Sequence, residues 1–220
     1  MNTREKYGYP LCCNKCTQLG DEPRRLSEIE PFHKDGSAIK LMLIGQDPTI
    51  IKDPERVNTV LMLNEISGRN GQLRKWLETE LIGKGNFDSV EIYATNLVKC
   101  QFSKPPSQSG GKTFLEIRFK NCKSYLYSEI EKYKPTLILT FGEPAHFLFS
   151  KELKVLNGQL KSKMKNDFNG NFVRAKINNT EFDYSPCLHI TTFRVAETYG
   201  DSIKEFKSKL AERLKKEELI

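Results

Sequence analysis

Two short apolar runs, each closed by a glycine, constrain the fold of this chain more than any other feature. Leu41-Met42-Leu43-Ile44 ends at Gly45, and Leu137-Ile138-Leu139-Thr140-Phe141 ends at Gly142. Neither run alternates apolar with polar residues, so neither suits a sheet with one wet face. Both read as strands covered on both sides. Residues 90–94 and 182–188 are two further strand candidates. Helical spacing fills the intervals. Leu73, Trp76, Leu77 and Leu81 form a stripe over 71–81, and Leu115, Phe119, Cys122, Leu126 and Ile130 another over 114–133. A last helix over 201–217 buries Ile203, Phe206, Leu210 and Leu214 beneath a charged outer face. A short helix runs from the strand at 136–142 through Phe149, and residues 158–180, rich in Asn, Lys and Gly, read as a hairpin or surface loops. Strands alternating with helices predict one three-layer α/β domain over residues 1–220, with a central, mainly parallel four-stranded sheet. Residues 1–39 are polar and read as an irregular segment.

Composition narrows the class. The 220 residues are 38% hydrophobic and 29% charged, enough to bury a core, which excludes extended disorder, a collagen-like fibre and a coiled coil. No window offers the roughly 18 consecutive apolar residues of a membrane span, and the polar start lacks the apolar segment of a secretory signal. The expectation is a soluble, cytoplasmic protein. Lys and Arg number 35 against 28 Asp and Glu, a formal charge of +7. That surplus is compatible with a polyanionic partner and equally with a well-solvated lysine-rich surface.

In open α/β sheets the ligand crevice lies beyond the carboxyl ends of the strands. The residues that follow the four predicted strands are therefore the site candidates. They are Gly45-Gln46-Asp47-Pro48, Thr95-Asn96, Gly142-Glu143-Pro144 and His189. Each has a structural explanation by itself: a turn, a cap, a satisfied histidine. Together they bring a carboxylate, an amide and an imidazole to one sheet edge, which suits a base, a hydrogen-bonding reader and a stabiliser of negative charge.

The six cysteines are a second signal, because an unexported chain has little use for disulfides. Cys13-x2-Cys16 has ligand spacing, Cys100 follows the second strand and Cys122 lies on the next helix. Four thiolates of this kind suit a [4Fe–4S] cluster. Zinc, which favours two paired knuckles, is the second choice. Cys12 serves as well as Cys13 on spacing, and Cys187 reads as a small buried strand residue.

These residues resemble the uracil-DNA glycosylase superfamily. Gly45-Gln46-Asp47-Pro48 is similar to the water-activating loop of its family-1 enzymes. The cysteine frame, Thr95-Asn96-Leu97-Val98-Lys99-Cys100, Pro105-Pro106 and Gly71-Gln72-Leu73 look like the iron–sulfur branch, families 4 and 5. The resemblance implies a monofunctional glycosylase of base-excision repair, which flips uracil or a related deaminated base out of DNA and hydrolyses its N-glycosidic bond; a monomer is the default expectation for an enzyme that tracks along DNA. By that analogy Asp47 positions water and offsets positive charge on the sugar. Asn96 reads the Watson–Crick edge of uracil, His189 bonds the O2 that becomes negative, and Gln46 lines the pocket through its backbone. Cys13, Cys16, Cys100 and Cys122 would hold a structural cluster. A non-catalytic iron–sulfur nucleic-acid-binding protein on the same fold is the alternative.

The chain also departs from the pattern. The iron–sulfur branch has Glu where this chain has Gln46. Family 1 has Tyr at Thr49, so the smaller residue leaves room for a 5-methyl group. The stacking Phe aligns with Ile66, and an aliphatic wall loses a stacking term of ~1–3 kcal/mol. The usual His-Pro-Ser is His189-Ile190-Thr191, which assigns Thr191 or Thr192 to a DNA phosphate, and Phe193 and Arg194 to the wedge and anchor.

Overall fold

The apolar run at 40–45 becomes a strand with no wet face, because its side chains alternate between two cores: Leu41 and Leu43 point to one, Met42 and Ile44 to the other, and all four are fully buried. This is seen in a computed structural model that describes residues 2–11, 13–16, 19, 29–49, 57–68, 71–102, 104–189 and 199–215. In chain order the elements are α1 (Thr3–Tyr7), β1 (Phe32–Lys34), β2 (Lys40–Gly45), α2 (Gln72–Trp76), α3 (Lys84–Ser89), β3 (Glu91–Asn96), α4 (Gly111–Tyr133), β4 (Leu137–Phe141), α5 (Glu143–Ser150), β5 (Lys154–Asn157), α6 (Met164–Asp167), β6 (Val173–Ile177), β7 (Thr180–Cys187) and α7 (Gly200–Lys215).

The four strands expected from the sequence pair in the order β3-β2-β4-β7, all parallel. The sheet nevertheless has seven strands rather than four. β1 adds antiparallel to β3 at one edge, and β6 then β5 add antiparallel beyond β7 at the other. These three are edge or near-edge elements without the continuous apolar run of a fully covered strand. β6 alternates buried Val173, Ala175 and Ile177 with Arg174 and Lys176, while β5 is mostly exposed. Pro186, which has no N–H to give a ladder, stands in β7 beyond the last residue paired to β6.

Helices cover both faces. On one, Trp76, Leu77, Phe206, Leu210 and Leu214 pack on Leu41, Leu43, Ile92, Leu137 and Leu139. On the other, Leu115, Phe119, Leu126 and Ile130 of α4 and Phe149 of α5 pack on Met42, Ile44, Tyr93, Ile138 and Tyr184. The architecture is the expected three-layer α/β sandwich. Two local corrections follow. The segment before residue 40 is not wholly irregular: the Asn2 side chain accepts from the Glu5 amide at 2.9 Å to cap α1, and Gly8 closes it at φ 76°. The stripe at 71–81 is not one regular helix, because α2 passes into a π turn over Leu77–Leu81.

Register decides where the site lies. Gly45 pairs with Asn96, Ile44 with Thr140 and Phe141 with Cys187, so β2, β3, β4 and β7 end side by side. The segments leaving those ends share one rim of the sheet.

Candidate active site

A cleft of about 450 Å³ opens at that rim. Gln46, Asp47 and Thr49 line it from the β2 end, Phe141 and Pro144 from the β4 end, His189 from the β7 end, and Leu61 from the segment before α2. Three strand ends thus contribute directly. A smaller cavity of about 270 Å³ adjoins it through Gln46, Thr49 and Pro144, and is walled by Pro105, Pro106 and the start of α4.

Both carboxylate oxygens of Asp47 are held. The Gln46 side-chain amide donates to Oδ2 at 2.6 Å, and the Thr49 backbone N–H donates to Oδ1 at 2.9 Å. Burial pushes the Asp47 carboxyl above its ordinary value, and the bonds from Thr49 and Gln46 pull back without cancelling it. The Thr49 hydroxyl accepts the Phe102 amide at 2.9 Å, which anchors the loop after β2 to the segment after β3. Gln46 therefore contributes more than the backbone lining expected of it. Its side chain orients Asp47, and its carbonyl accepts the Val98 amide.

Asn96 ends β3 opposite Gly45 and is fully buried. Among the described residues neither its amide nitrogen nor its side-chain oxygen has a hydrogen-bond partner. Leaving such a group unmet costs about 1–3 kcal/mol, so a buried amide of this kind at a strand end is chemically suited to a ligand that offers both a donor and an acceptor. Gly45 is required beside it: a Cβ there would lie 2.3 Å from Asn96 Oδ1 and 2.8 Å from Leu61 Cδ2. Asn96 thus sits just behind Gly45 and Leu61, two residues that line the cleft. Leu61 itself holds a left-handed backbone, φ 57°, which costs a branched side chain about 1–2 kcal/mol.

His189 is exposed at the mouth of the cleft, although the protein around its ring still lowers its pKa by desolvation. The imidazole is neutral at pH 7 and keeps one N–H to donate.

The structure does not bring Ile66 to the cleft. Its side chain is 79% exposed, and the apolar walls are Leu61 and Phe141 instead. Sequence reasoning missed Leu61, because nothing in an unremarkable leucine announces a positive φ. Phe141 had a signal, being the last residue of a predicted strand. Thr191, Thr192, Phe193, Arg194 and Cys12 lie outside the described residues.

Cys16, Cys100 and Cys122 are buried, Cys13 is half-buried against the same core, and all four are free thiols. Burial raises the Cys100 thiol well above its ordinary value. It raises Cys122 to about 11, against the opposing pull of the Lys99 backbone amide and ammonium. Both also respond to the charge of Cys13 and Cys16, so the four share one electrostatic neighbourhood. The Asn121 amide reaches Cys16 Sγ at 3.5 Å. Among the described residues no three His, Cys, Asp or Glu side chains are close enough to hold a single metal ion. Cys187 is the small, fully buried strand residue expected. Among the described residues no helix is long and apolar enough to cross a membrane.

Comparison with known families adds an independent finding. Residues 33–211 match the family model of the uracil DNA glycosylase superfamily. No curated protein matches the chain.

Proposed function

The chain belongs to the uracil DNA glycosylase superfamily, and from that premise we propose that it hydrolyses the N-glycosidic bond of uracil, or a related deaminated base, flipped out of DNA. Membership carries glycosylase-type chemistry on DNA; the base and the residues are our assignment. The observation that carries it is the Asn96 amide, buried with both polar atoms unmet beside a cleft that holds an oriented carboxylate. The edge of uracil offers an N–H and a carbonyl side by side, which one side-chain amide meets with its oxygen and its nitrogen.

Each role follows from the chemistry of bond cleavage. As the base departs, the sugar gains positive charge and the base gains negative charge. Asp47, ionised, offsets the first and orients the attacking water; Gln46 and Thr49 keep its two oxygens in place. His189, neutral, donates to the O2 on which the second charge collects. Leu61 and Phe141 exclude water from the base, and Thr49 leaves the pocket open toward a 5-methyl group. Thr191, Thr192, Phe193 and Arg194, which follow His189 in the chain, are assigned the phosphate and wedge contacts. The formal charge of +7 suits the polyanionic partner. The reading expects a cytoplasmic monomer.

Cys13, Cys16, Cys100 and Cys122 are the residues that would hold a [4Fe–4S] cluster, and their chemistry fits the group. Four free thiols, three of them buried, are the donor set that such a cluster takes. When bound, the cluster supplies a structural tie between the N-terminal segment and the sheet. Zinc is the second choice.

The rival reading, a non-catalytic iron–sulfur nucleic-acid-binding protein on the same fold, draws on the complete burial of Asn96. Excision from oligonucleotides carrying one uracil, hypoxanthine, xanthine or G-opposed thymine separates the two. Uracil release by wild type that vanishes in Asp47→Asn, with DNA binding kept, supports the glycosylase. Equal release by the mutant removes Asp47 from its role. No release of any base with binding intact selects the rival.

A further inference from the structure

Lys99 stands three residues beyond Asn96, and its side chain is only 1% exposed. An ammonium has three N–H donors, and three acceptors meet it here. They are Thr95 Oγ1 at 2.6 Å, Glu129 Oε2 at 2.7 Å and the Asn96 carbonyl at 2.7 Å. Glu129, on α4, has no exposure, and its Oε2 also accepts the Thr95 hydroxyl at 3.0 Å. The Tyr9 ring closes the site 5.3 Å from the ammonium. Stability alone does not account for such a group, since apolar residues of equal volume often serve a fold as well as a buried ion pair does.

The bond to the Asn96 carbonyl supplies another reason. Among the described residues the Asn96 side chain has no hydrogen-bond partner, so its direction is inherited from its backbone. On one side that backbone is fixed by β2: the residue pairs with Gly45, and the next amide, Leu97 N–H, donates to the Gly45 carbonyl at 2.9 Å. The C=O and N–H of one trans peptide point opposite ways, so the Asn96 carbonyl, in the same peptide group as the Leu97 N–H, faces the β1 side. There the ladder has already stopped, because β1 pairs no further than Ala94. Lys99 occupies the place of the missing strand.

We propose that Lys99 is a positioning residue for base reading: its buried ammonium holds the Asn96 carbonyl beyond the end of β1, and thereby fixes the angle at which the Asn96 amide meets the base. The inference rests on the role given to Asn96 above.

A double-mutant cycle on uracil excision tests it. Lys99→Met combined with Glu129→Gln removes the ammonium and its counter-charge together, so neither is left buried alone. With a melting transition matching wild type, this variant is expected to lose about tenfold or more in kcat while KM for DNA is unchanged, because no DNA contact is altered. Adding it to Asn96→Ala is expected to cost nothing beyond Asn96→Ala alone. Losses that multiply, or a wild-type kcat in the Lys99 variant, overturn the proposal. Excision that is lost in Asn96→Ala but intact in the Lys99 variant overturns the proposal and leaves the parent reading standing. Excision unaffected by Asn96→Ala sinks the parent reading, and the proposal with it. If the double substitution does not fold, Thr95→Val removes one of the three acceptors at constant shape. The same non-additivity with Asn96→Ala, at a smaller kcat loss, is then expected, and additivity overturns the proposal.

Discussion

Opposed effects meet at Asp47, where burial raises the carboxyl pKa and the bonds from Thr49 and Gln46 lower it by less. The sign has two consequences. A carboxyl whose folded pKa exceeds its unfolded value binds protons more tightly in the native state, so it supports the fold at low pH. That support is lost as pH rises through the raised pKa. At neutral pH the ionised group is a net cost, and Asp47→Asn is expected to raise the melting temperature while abolishing excision; a lowered melting temperature would contradict this. On the proposed mechanism catalysis needs the ionised form, so the acid limb of the kcat profile should lie above the ordinary 3.8 of an aspartate, which a pH series on a uracil oligonucleotide checks. Gly45 makes a second residue-level case. A methyl group there meets Asn96 Oδ1 at 2.3 Å, so Gly45→Ala should cut kcat by about tenfold or more and destabilise by about 1–3 kcal/mol, as overpacking does. Equal activity in Gly45→Ala would show that the amide does not need its place. Asp47 and Asn96 were legible as strand-end residues. Gly45 was legible only as the end of a run, because its neighbour across the sheet is invisible without the register.

Among the elements, the excursion between α5 and β7 carries its own anchor. His146 of α5 is fully buried, with Nδ1 2.7 Å from the Tyr184 hydroxyl and Nε2 2.8 Å from Asp167 Oδ2. The Tyr184 hydroxyl also meets Thr140 Oγ1 at 2.8 Å, and Asp167 accepts the backbone amides of Lys161 and Lys163. One relay therefore ties α5, α6, β4 and β7 together. Hydrogen bonds to a charged group are worth about 1.5–3 kcal/mol, so Asp167→Ala should lower stability by at least that much in urea unfolding. Excision below the melting transition should be unaffected, since the relay does not line the cleft; a selective loss of kcat would contradict this. From the sequence this region read as a hairpin or loops. Strand and loop could not be told apart there because one face of β6 and most of β5 are wet, so they carry no long apolar run.

For the whole molecule, the question is what joins the N-terminal segment to the sheet. Cys13 and Cys16 come from the chain before β1, Cys100 from the segment after β3 and Cys122 from the middle of α4, and these distant positions share one electrostatic neighbourhood. Protein purified without oxygen is expected to carry about four irons per chain, and removing them should lower the melting temperature. One zinc per chain with no iron would overturn the cluster and leave the glycosylase reading untouched. The same scale explains the cleft. Residues 46–47, 96, 141 and 189 are far apart in the chain and adjacent only because four parallel strands end in register.

The sequence by itself determined the parallel heart of the sheet and the helices that cover it, because full burial on two faces demands unbroken apolar runs and helical burial demands a stripe. It also determined which residues follow the strand ends. Only the tertiary structure decided that Ile66 lies on the surface while Leu61 and Phe141 wall the cleft, that Gln46 bonds Asp47, and that a buried lysine grips the Asn96 carbonyl. Those are relations between residues distant in the chain or in unusual backbone geometry. Local pattern encodes burial, but it does not encode which side chain meets which.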